Sequence, residues 1–135
     1  MAGYTLKNDK LQLTVAEHGA EIRSLVRCSD GREMMWQADP AFWGRTSPVL
    51  FPLVGNYRDK TSYYDGKAYQ MSQHGFARDM DFETLRGKES AAGADGQAQG
   101  AVSEKELWFA VTDSEATREK YPFAFRLEGG YRLEG

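Results

Sequence analysis

The segment at residues 70–82, QMSQHGFARDMDF, contains the side chains best suited to chemistry in this sequence. The imidazole of His74 can donate or accept a proton near neutral pH, and the guanidinium of Arg78 offers several directed donors to hydroxyl or carboxylate oxygens. If the segment is a strand, residues four apart share a face, so both side chains could share one site. The residues alone also allow a plainer interpretation, in which His74 bonds a backbone carbonyl at a strand end and Arg78 pairs with Asp79 or Asp81.

Other candidate groups carry weaker signals. His18 is followed by a glycine and has no partner in view. Asp79 and Asp81 would share a face of a strand, and paired carboxylates serve glycoside cleavage, but this spacing is common in any sequence. The sequence shows no zinc-ligand spacing, phosphate loop, dinucleotide fingerprint or nucleophile elbow. It therefore predicts a protein without cofactor or metal.

Composition limits the classes of partner. A chain of 135 residues suffices for one compact domain, and its 41% hydrophobic and 27% charged residues are ordinary for a soluble protein. The net charge of −3 lacks the basic footprint of a nucleic-acid binder. No apolar run could span a membrane or serve as a signal peptide, and the lone Cys28 excludes an internal disulfide. We therefore expect a cytoplasmic protein that binds neither nucleic acid nor membrane, and its oligomeric state stays open.

Hydrophobic alternation predicts an almost entirely β structure. Leu11, Leu13 and Val15 alternate with polar residues, and residues 20–28 show a similar pattern. Turn-forming pairs separate these runs at Asn8-Asp9, Asp30-Gly31, Asp65-Gly66 and Gly129-Gly130. The final run, YRLEG, would then leave an unpaired sheet edge, so we expect the front portion of a longer sequence.

Helical signals are few, and one segment has no periodicity. Asp39 and Pro40 suit the start of a single helical turn, and SEATREKY could form a short helix that Pro122 ends. Residues 87–105 are mainly Ala, Gly, Gln and Ser, which predicts a flexible loop between two strands.

Aromatic side chains are concentrated before the histidine segment. We expect most of them in the core and one or two lining a pocket for a sugar ring. They are Trp36, Phe42, Trp43, Phe51, Tyr57, Tyr63, Tyr64 and Tyr69.

The order of several motifs resembles one family. GAEIRSL, MMWQADPAFW, SPVLFPLVG, YYDGKAYQMSQHGFARDMDF and SEATREKYPFAFRL together are similar to the aldose 1-epimerase family, in its HGFAR-containing branch of galactose mutarotase-like proteins. The similarity runs from Tyr4 to Leu133 with an interruption at residues 87–105. It implies an all-β antiparallel sandwich, part of a galactose mutarotase-like supersandwich. It also implies cofactor-free interconversion of the α and β anomers of an aldohexose.

The resemblance also implies roles for particular residues. In the family, a carboxylate takes the proton of the C1 hydroxyl and a histidine protonates the ring oxygen, so that the ring opens and recloses. His74 matches the first site histidine, which binds and polarises the sugar, and Arg78 matches a contact to sugar hydroxyls. Arg45 and Arg58 flank SPVLFPLVG and are further candidates for substrate binding. The family's Gly-x-His-Pro histidine and its glutamate do not appear, so we expect this chain alone to be inactive.

Two alternatives remain open at this point. The chain could belong to a non-catalytic carbohydrate-binding module, or to an epimerase acting on a hexose 6-phosphate. A phosphate would call for an arginine cluster. Arg45, Arg58 and Arg78 could supply one, but the sequence does not show that they converge.

Overall fold

A computed structural model describes residues 3–85 and 106–134. Over these residues the regular structure is almost entirely strand, which confirms the all-β prediction. The elements are β1 (Gly3–Lys7), β2 (Leu11–Ala16), β3 (Glu21–Arg27), β4 (Arg32–Glu33), β5 (Thr61–Tyr64), β6 (Lys67–Gln70), β7 (Glu83–Thr84), β8 (Glu106–Thr112), the short helix α1 (Glu115–Arg118) and β9 (Arg126–Arg132), with 3₁₀ turns at Arg58–Lys60 and Ala77–Asp79. The flexible loop predicted at residues 87–105 lies outside the described residues.

The strands pair antiparallel in three described sheets, with the orders β1-β2-β3-β4, β5-β6 and β7-β8-β9. Two of the predicted turns are clearest at the tips of hairpins. Asn8-Asp9 lies between β1 and β2, and Asp65-Gly66 joins β5 to β6. Asp65 and Gly66 have φ angles of 51° and 74°, the left-handed geometry that a two-residue hairpin turn requires.

One hydrophobic core joins the four-stranded and three-stranded sheets. Leu6 of β1 and Val15 of β2 are fully buried, as are Leu107 and Phe109 of β8. The rings of Tyr4 and Phe109 meet edge to face with centroids 6.2 Å apart. Burying each such side chain contributes about 1.5–3 kcal/mol to the free energy of folding, so this shared core stabilises the packing of the two sheets.

The predicted turn at Gly129-Gly130 is wrong, because β9 continues through both glycines. Gly130 lies opposite Trp108 of β8 in the ladder. A Cβ on Gly130 would lie 2.5 Å from the Trp108 ring. The glycine therefore makes room for an indole packed across the strand, which is a non-local requirement.

The two short helical signals have local physical causes. In α1, the Ser114 side chain accepts from the backbone N–H of Thr117, and the Thr117 hydroxyl accepts from the N–H of Ser114. At the start of the other turn, the Asp39 carboxylate accepts from the N–H of Ala41, and the Asp39 carbonyl accepts from the N–H of Trp43. This second turn fixes the backbone that carries Trp43.

The expected burial of the aromatic residues is wrong. None of the eight between residues 36 and 69 is fully buried, and Phe42 and Tyr63 are largely exposed. They lie on a long connection and on the β5–β6 hairpin, outside the two sheets that form the core. The buried aromatic side chains are instead Tyr4, Phe76, Phe82 and Phe109.

No helix within residues 3–85 and 106–134 combines the length and the apolar character needed to cross a membrane.

Candidate functional site

His74 and Arg78 line the same cavity, which has a volume of about 410 Å³. The segment that carries them is not the strand assumed from the sequence. His74 and Gly75 have φ angles of 64° and 77°, and Ala77–Asp79 forms a 3₁₀ turn. The turn brings the two side chains together by a different route. The cavity is lined by Trp43, Thr46, Ser47, Pro48, Leu50, Gln73, His74 and Arg78.

The motifs LFPLVG and QHGFARD interlock through their backbones. The N–H of His74 donates to the carbonyl of Gly55 at 2.7 Å, and the N–H of Phe76 donates to the carbonyl of Phe51 at 2.9 Å. A Cβ on Gly75 would lie 2.1 Å from the Phe51 oxygen. Only glycine permits this approach with a positive φ, which explains why glycine follows the histidine.

The ring of His74 has a defined hydrogen-bonding state on one side. The backbone N–H of Gly55 donates to His74 Nδ1 at 2.8 Å. Because Nδ1 is the acceptor, the proton of the neutral ring lies on Nε2, which is then a donor. The plainer interpretation, a ring bonded to a backbone carbonyl, is not the contact observed at Nδ1. The half-buried ring lines the cavity as a neutral hydrogen-bond donor.

The carboxylates nearest to Arg78 in sequence have other partners. Asp79 lies 3.2 Å from Arg45, and Asp81 lies 2.9 Å from His18 Nδ1. These two carboxylates therefore serve separate contacts and do not form an acid–base pair. Among the described residues Arg78 makes no ion pair, and its buried Nε has no hydrogen-bond partner.

Arg45 is held by a buried glutamate that sequence reasoning missed. Glu21 Oε1 accepts from Arg45 Nε at 2.9 Å and from Nη2 at 2.6 Å, while Oε2 accepts from the N–H groups of Thr46 and Ser47. Burial opposes ionisation, but these hydrogen bonds outweigh it and lower the pKa of Glu21 to about 2. No sequence signal marks this role, since Glu21 reads as an ordinary polar residue of an alternating strand.

The three arginines considered for substrate binding do not converge on the cavity. Arg78 lines it, whereas Arg45 contacts Glu21, Asp79 and the Arg78 carbonyl. Arg58 is exposed in the 3₁₀ turn before β5 and is not among the described residues that line the cavity.

No cluster of His, Cys, Asp and Glu side chains suited to a metal ion occurs in residues 3–85 and 106–134.

The antiparallel sheets define a β protein of the galactose mutarotase-like fold. The chain superimposes with a TM-score of 0.84 on a galactose mutarotase related enzyme from Lactobacillus acidophilus, at 37% identity over 98% of this chain and 39% of that one. A galactose mutarotase-like protein from Lactobacillus casei gives a TM-score of 0.83 at 34% identity, covering 98% of this chain and 40% of the other.

The chain belongs to the aldose 1-epimerase family, whose model matches residues 3–135. The chromosomal form of Protein LacX from Lactococcus lactis is 29% identical in an alignment that covers 96% of this chain. The plasmid form is 28% identical over the same share. The chain spans about 40% of the length of these relatives.

Proposed function

We propose that this chain forms the His74-bearing part of the sugar site of an aldose 1-epimerase that interconverts the α and β anomers of an aldohexose. The observation that carries the proposal is the Gly55 N–H bond to His74 Nδ1, which leaves Nε2–H as the donor of a ring that lines the cavity.

In the proposed reaction, a base removes the proton of the C1 hydroxyl and the bond between C1 and the ring oxygen breaks. The ring oxygen accepts a proton, giving the open-chain aldehyde, and rotation about C1–C2 followed by reclosure yields either anomer. His74 Nε2–H donates a hydrogen bond to the ring oxygen and stabilises the charge that develops there. Since its Nδ1 lone pair is engaged, we assign to His74 the polarisation of the ring oxygen. We assign both proton-transfer steps to the family's second histidine and its glutamate.

The rest of the cavity suits an uncharged sugar. Among the described residues that line it, Arg78 is the cation, and its donors match sugar hydroxyls. Trp43, half exposed at 49%, offers an apolar surface for the C–H face of a sugar ring. Because Arg45 is engaged by Glu21 and Arg58 lies away from the lining, we propose Arg78 as the main sugar contact and expect smaller contributions from the other two. This arrangement favours a free hexose over a hexose 6-phosphate.

Polarimetry of freshly dissolved α-galactose and α-glucose tests the proposal in two arms. The 135-residue chain alone is expected to leave the rotation decaying at the spontaneous rate, because ring opening needs an acid and a base held together. A hybrid, in which this chain replaces the matching portion of the Lactobacillus acidophilus relative, is expected to accelerate the decay. The unaltered relative is the reference.

The outcomes separate the alternatives. Sugar binding by the hybrid without acceleration, where the unaltered relative does accelerate, would contradict the epimerase and support a binding module. Acceleration with glucose 6-phosphate but not with free hexoses would contradict the assignment of an uncharged substrate.

A further inference from the structure

The cavity has two walls that different parts of the chain supply. The loop wall, residues 43–50, contributes Trp43 and Ser47, and the turn wall, residues 73–78, contributes His74 and Arg78. A sugar that contacts both walls requires a fixed distance between them. A group that connects the two walls therefore affects how well the cavity binds the sugar.

The carboxylate of Glu21 holds the loop wall directly. Its Oε2 accepts from the backbone N–H of Thr46 at 2.7 Å and from that of Ser47 at 3.1 Å. The Thr46 hydroxyl also lies 2.9 Å from Oε2. Hydrogen bonds from successive backbone N–H groups to an ionised acceptor fix the main chain at two residues of the loop wall, both of which line the cavity.

Arg45 carries the same anchor to the turn wall. Its Nη2 bonds both Glu21 Oε1 at 2.6 Å and the Arg78 carbonyl at 2.8 Å, and its Nη1 lies 3.2 Å from Asp79. One planar guanidinium therefore links the buried carboxylate to the backbone of the residue that presents its side chain to the cavity.

Burial makes this connection costly to disturb. The Glu21 side chain is 1% exposed, with Arg23 Nη1 at 3.8 Å from Oε2 as a second, more distant cation. Removing its charge would leave Arg45 and two backbone donors without their ionised acceptor, and buried unpaired groups are strongly unfavourable. Glu21 itself does not line the cavity.

We propose that Glu21 is a positioning residue that couples the two walls of the cavity. It holds the loop wall through Thr46 and Ser47 and the turn wall through Arg45, and so sets where Trp43 and Ser47 stand relative to His74 and Arg78. Its effect on sugar affinity rests on the proposed function, whereas the coupling of the walls does not.

Amide hydrogen exchange of Glu21→Gln tests the coupling without sugar. We expect protection of Thr46 and Ser47 to fall at least about 10-fold, the scale of one charge-assisted hydrogen bond. Protection of Asp79 and Met80, whose N–H groups close the 3₁₀ turn, should fall with it. Loosening of the loop wall alone would overturn the inference.

Two further variants separate positioning from general destabilisation. Tyr131→Phe removes the hydroxyl that donates to the Ala20 carbonyl beside Glu21, yet it should leave both walls protected. Arg45→Lys keeps a cation near Glu21 but loses the link to the Arg78 carbonyl, so only the turn wall should loosen. If Glu21→Gln fails to fold, Arg45→Lys decides: unchanged protection of Asp79 and Met80 would contradict the coupling.

Galactose titration of the hybrid, followed by NMR, then tests whether the coupling of the two walls affects sugar binding. We expect affinity to fall at least about 10-fold in Glu21→Gln and to stay unchanged in Tyr131→Phe. Equal affinity in Glu21→Gln and the wild type would overturn the positioning role. If the hybrid without these substitutions bound no sugar, the proposed function would fail, and the exchange experiment would still decide the coupling.

Discussion

Two His-Gly dipeptides in this protein have glycines of similar φ angle but differ in what surrounds the histidine ring. Gly19 and Gly75 have φ angles of 75° and 77°. A Cβ on either would lie too close to a backbone carbonyl oxygen, at 2.6 Å and 2.1 Å respectively. In both places, glycine lets two chain segments approach closely. A His-Gly dipeptide therefore indicates close backbone packing and is not by itself evidence of a catalytic histidine.

The two histidine rings differ in the hydrogen-bond partner of Nδ1. His18 is partly exposed, and its Nδ1 lies 2.9 Å from the Asp81 carboxylate, an arrangement that supports a proton on Nδ1. His74 Nδ1 accepts the N–H of Gly55, which keeps that nitrogen unprotonated and leaves the donor on Nε2. The same dipeptide therefore gives two different proton arrangements, set by the atom that faces Nδ1.

The largest expected effect concerns the glycines. We expect Gly75→Ala to lower the free energy of unfolding by about 3 kcal/mol or more, from left-handed strain plus overlap with the Phe51 carbonyl. Gly19→Ala should cost somewhat less because its contact is longer. Gly66→Ala is the matched control, since its φ is 74° but no atom lies near its Cβ, and it should cost about 1 kcal/mol. Urea unfolding measures all three, and equal losses at Gly75 and Gly66 would refute the close-approach explanation.

Glu21 follows the His18-Gly19 turn, and its lowered pKa makes the stability of this region depend on pH. The pKa of Glu21 falls from an ordinary 4.5 to about 2, because hydrogen bonds from Arg45, Thr46 and Ser47 outweigh the opposing effect of burial. A lowered folded-state pKa gives stability that is present above pH 4.5 and lost as the pH falls towards about 2. The difference corresponds to about 3 kcal/mol, at about 1.4 kcal/mol per pH unit.

Urea unfolding of the wild type and Glu21→Gln at about pH 5 and about pH 2 measures this contribution. Other carboxylates titrate in both proteins, so the difference between them isolates Glu21. We expect the wild type to lose about 3 kcal/mol more than the variant on acidification. Parallel losses in the two proteins would show that Glu21 is not held ionised by its partners.

The histidines themselves give the functional test. In the active hybrid, His74→Ala should lower kcat/KM for mutarotation by roughly 10²-fold or more, the scale for loss of a positioned acid–base or polarising group. His18→Ala, the matched control, should keep the wild-type value because its ring faces Asp81 on the surface. Near-normal activity of a folded His74→Ala protein would show that the ring serves only the turn.

Arg78 should have the smallest of these effects. Arg78 lines the cavity, and in the proposed reaction it binds sugar hydroxyls both before and during ring opening, so we expect Arg78→Ala to raise KM about 10-fold and to change kcat less. Arg58→Ala is expected to change KM less, because Arg58 lies outside the lining. Steady-state polarimetry measures kcat and KM separately. A larger effect of Arg58→Ala than of Arg78→Ala would indicate that the sugar binds nearer to the 3₁₀ turn that contains Arg58.

Local chemistry accounts for what the sequence could predict. The alternation in β2 follows directly from one buried face, and Asp65-Gly66 supplies the φ angles of the β5–β6 turn. Similar local reasoning failed at Gly129-Gly130, because the reason for those glycines lies on β8. The interlock of LFPLVG with QHGFARD was accessible only as a family pattern, since the physical contact joins Phe51 to Gly75 across a hairpin.

The site was less predictable than the fold for the same reason. His74 adopts a φ of 64°, which a non-glycine residue rarely does, so no strand periodicity applies to it. Glu21 was hidden because a buried glutamate and an exposed one look alike in an alternating strand. Its partner Arg45 is 24 residues away in sequence, and that contact exists only after β3 and the following connection have packed.

Measuring which ring nitrogen of His74 carries the proton is the most direct test of its proposed role. Two-bond ¹H–¹⁵N NMR of the imidazoles reports which ring nitrogen carries the proton. We predict a proton on Nε2 of His74 and an unprotonated Nδ1. In the hybrid we also predict a galactose-dependent shift of the His74 Nε2 signal with no corresponding shift at His18. A proton on Nδ1 of His74, or a galactose titration of the hybrid that leaves the His74 Nε2 signal unchanged, would contradict the proposed role of His74.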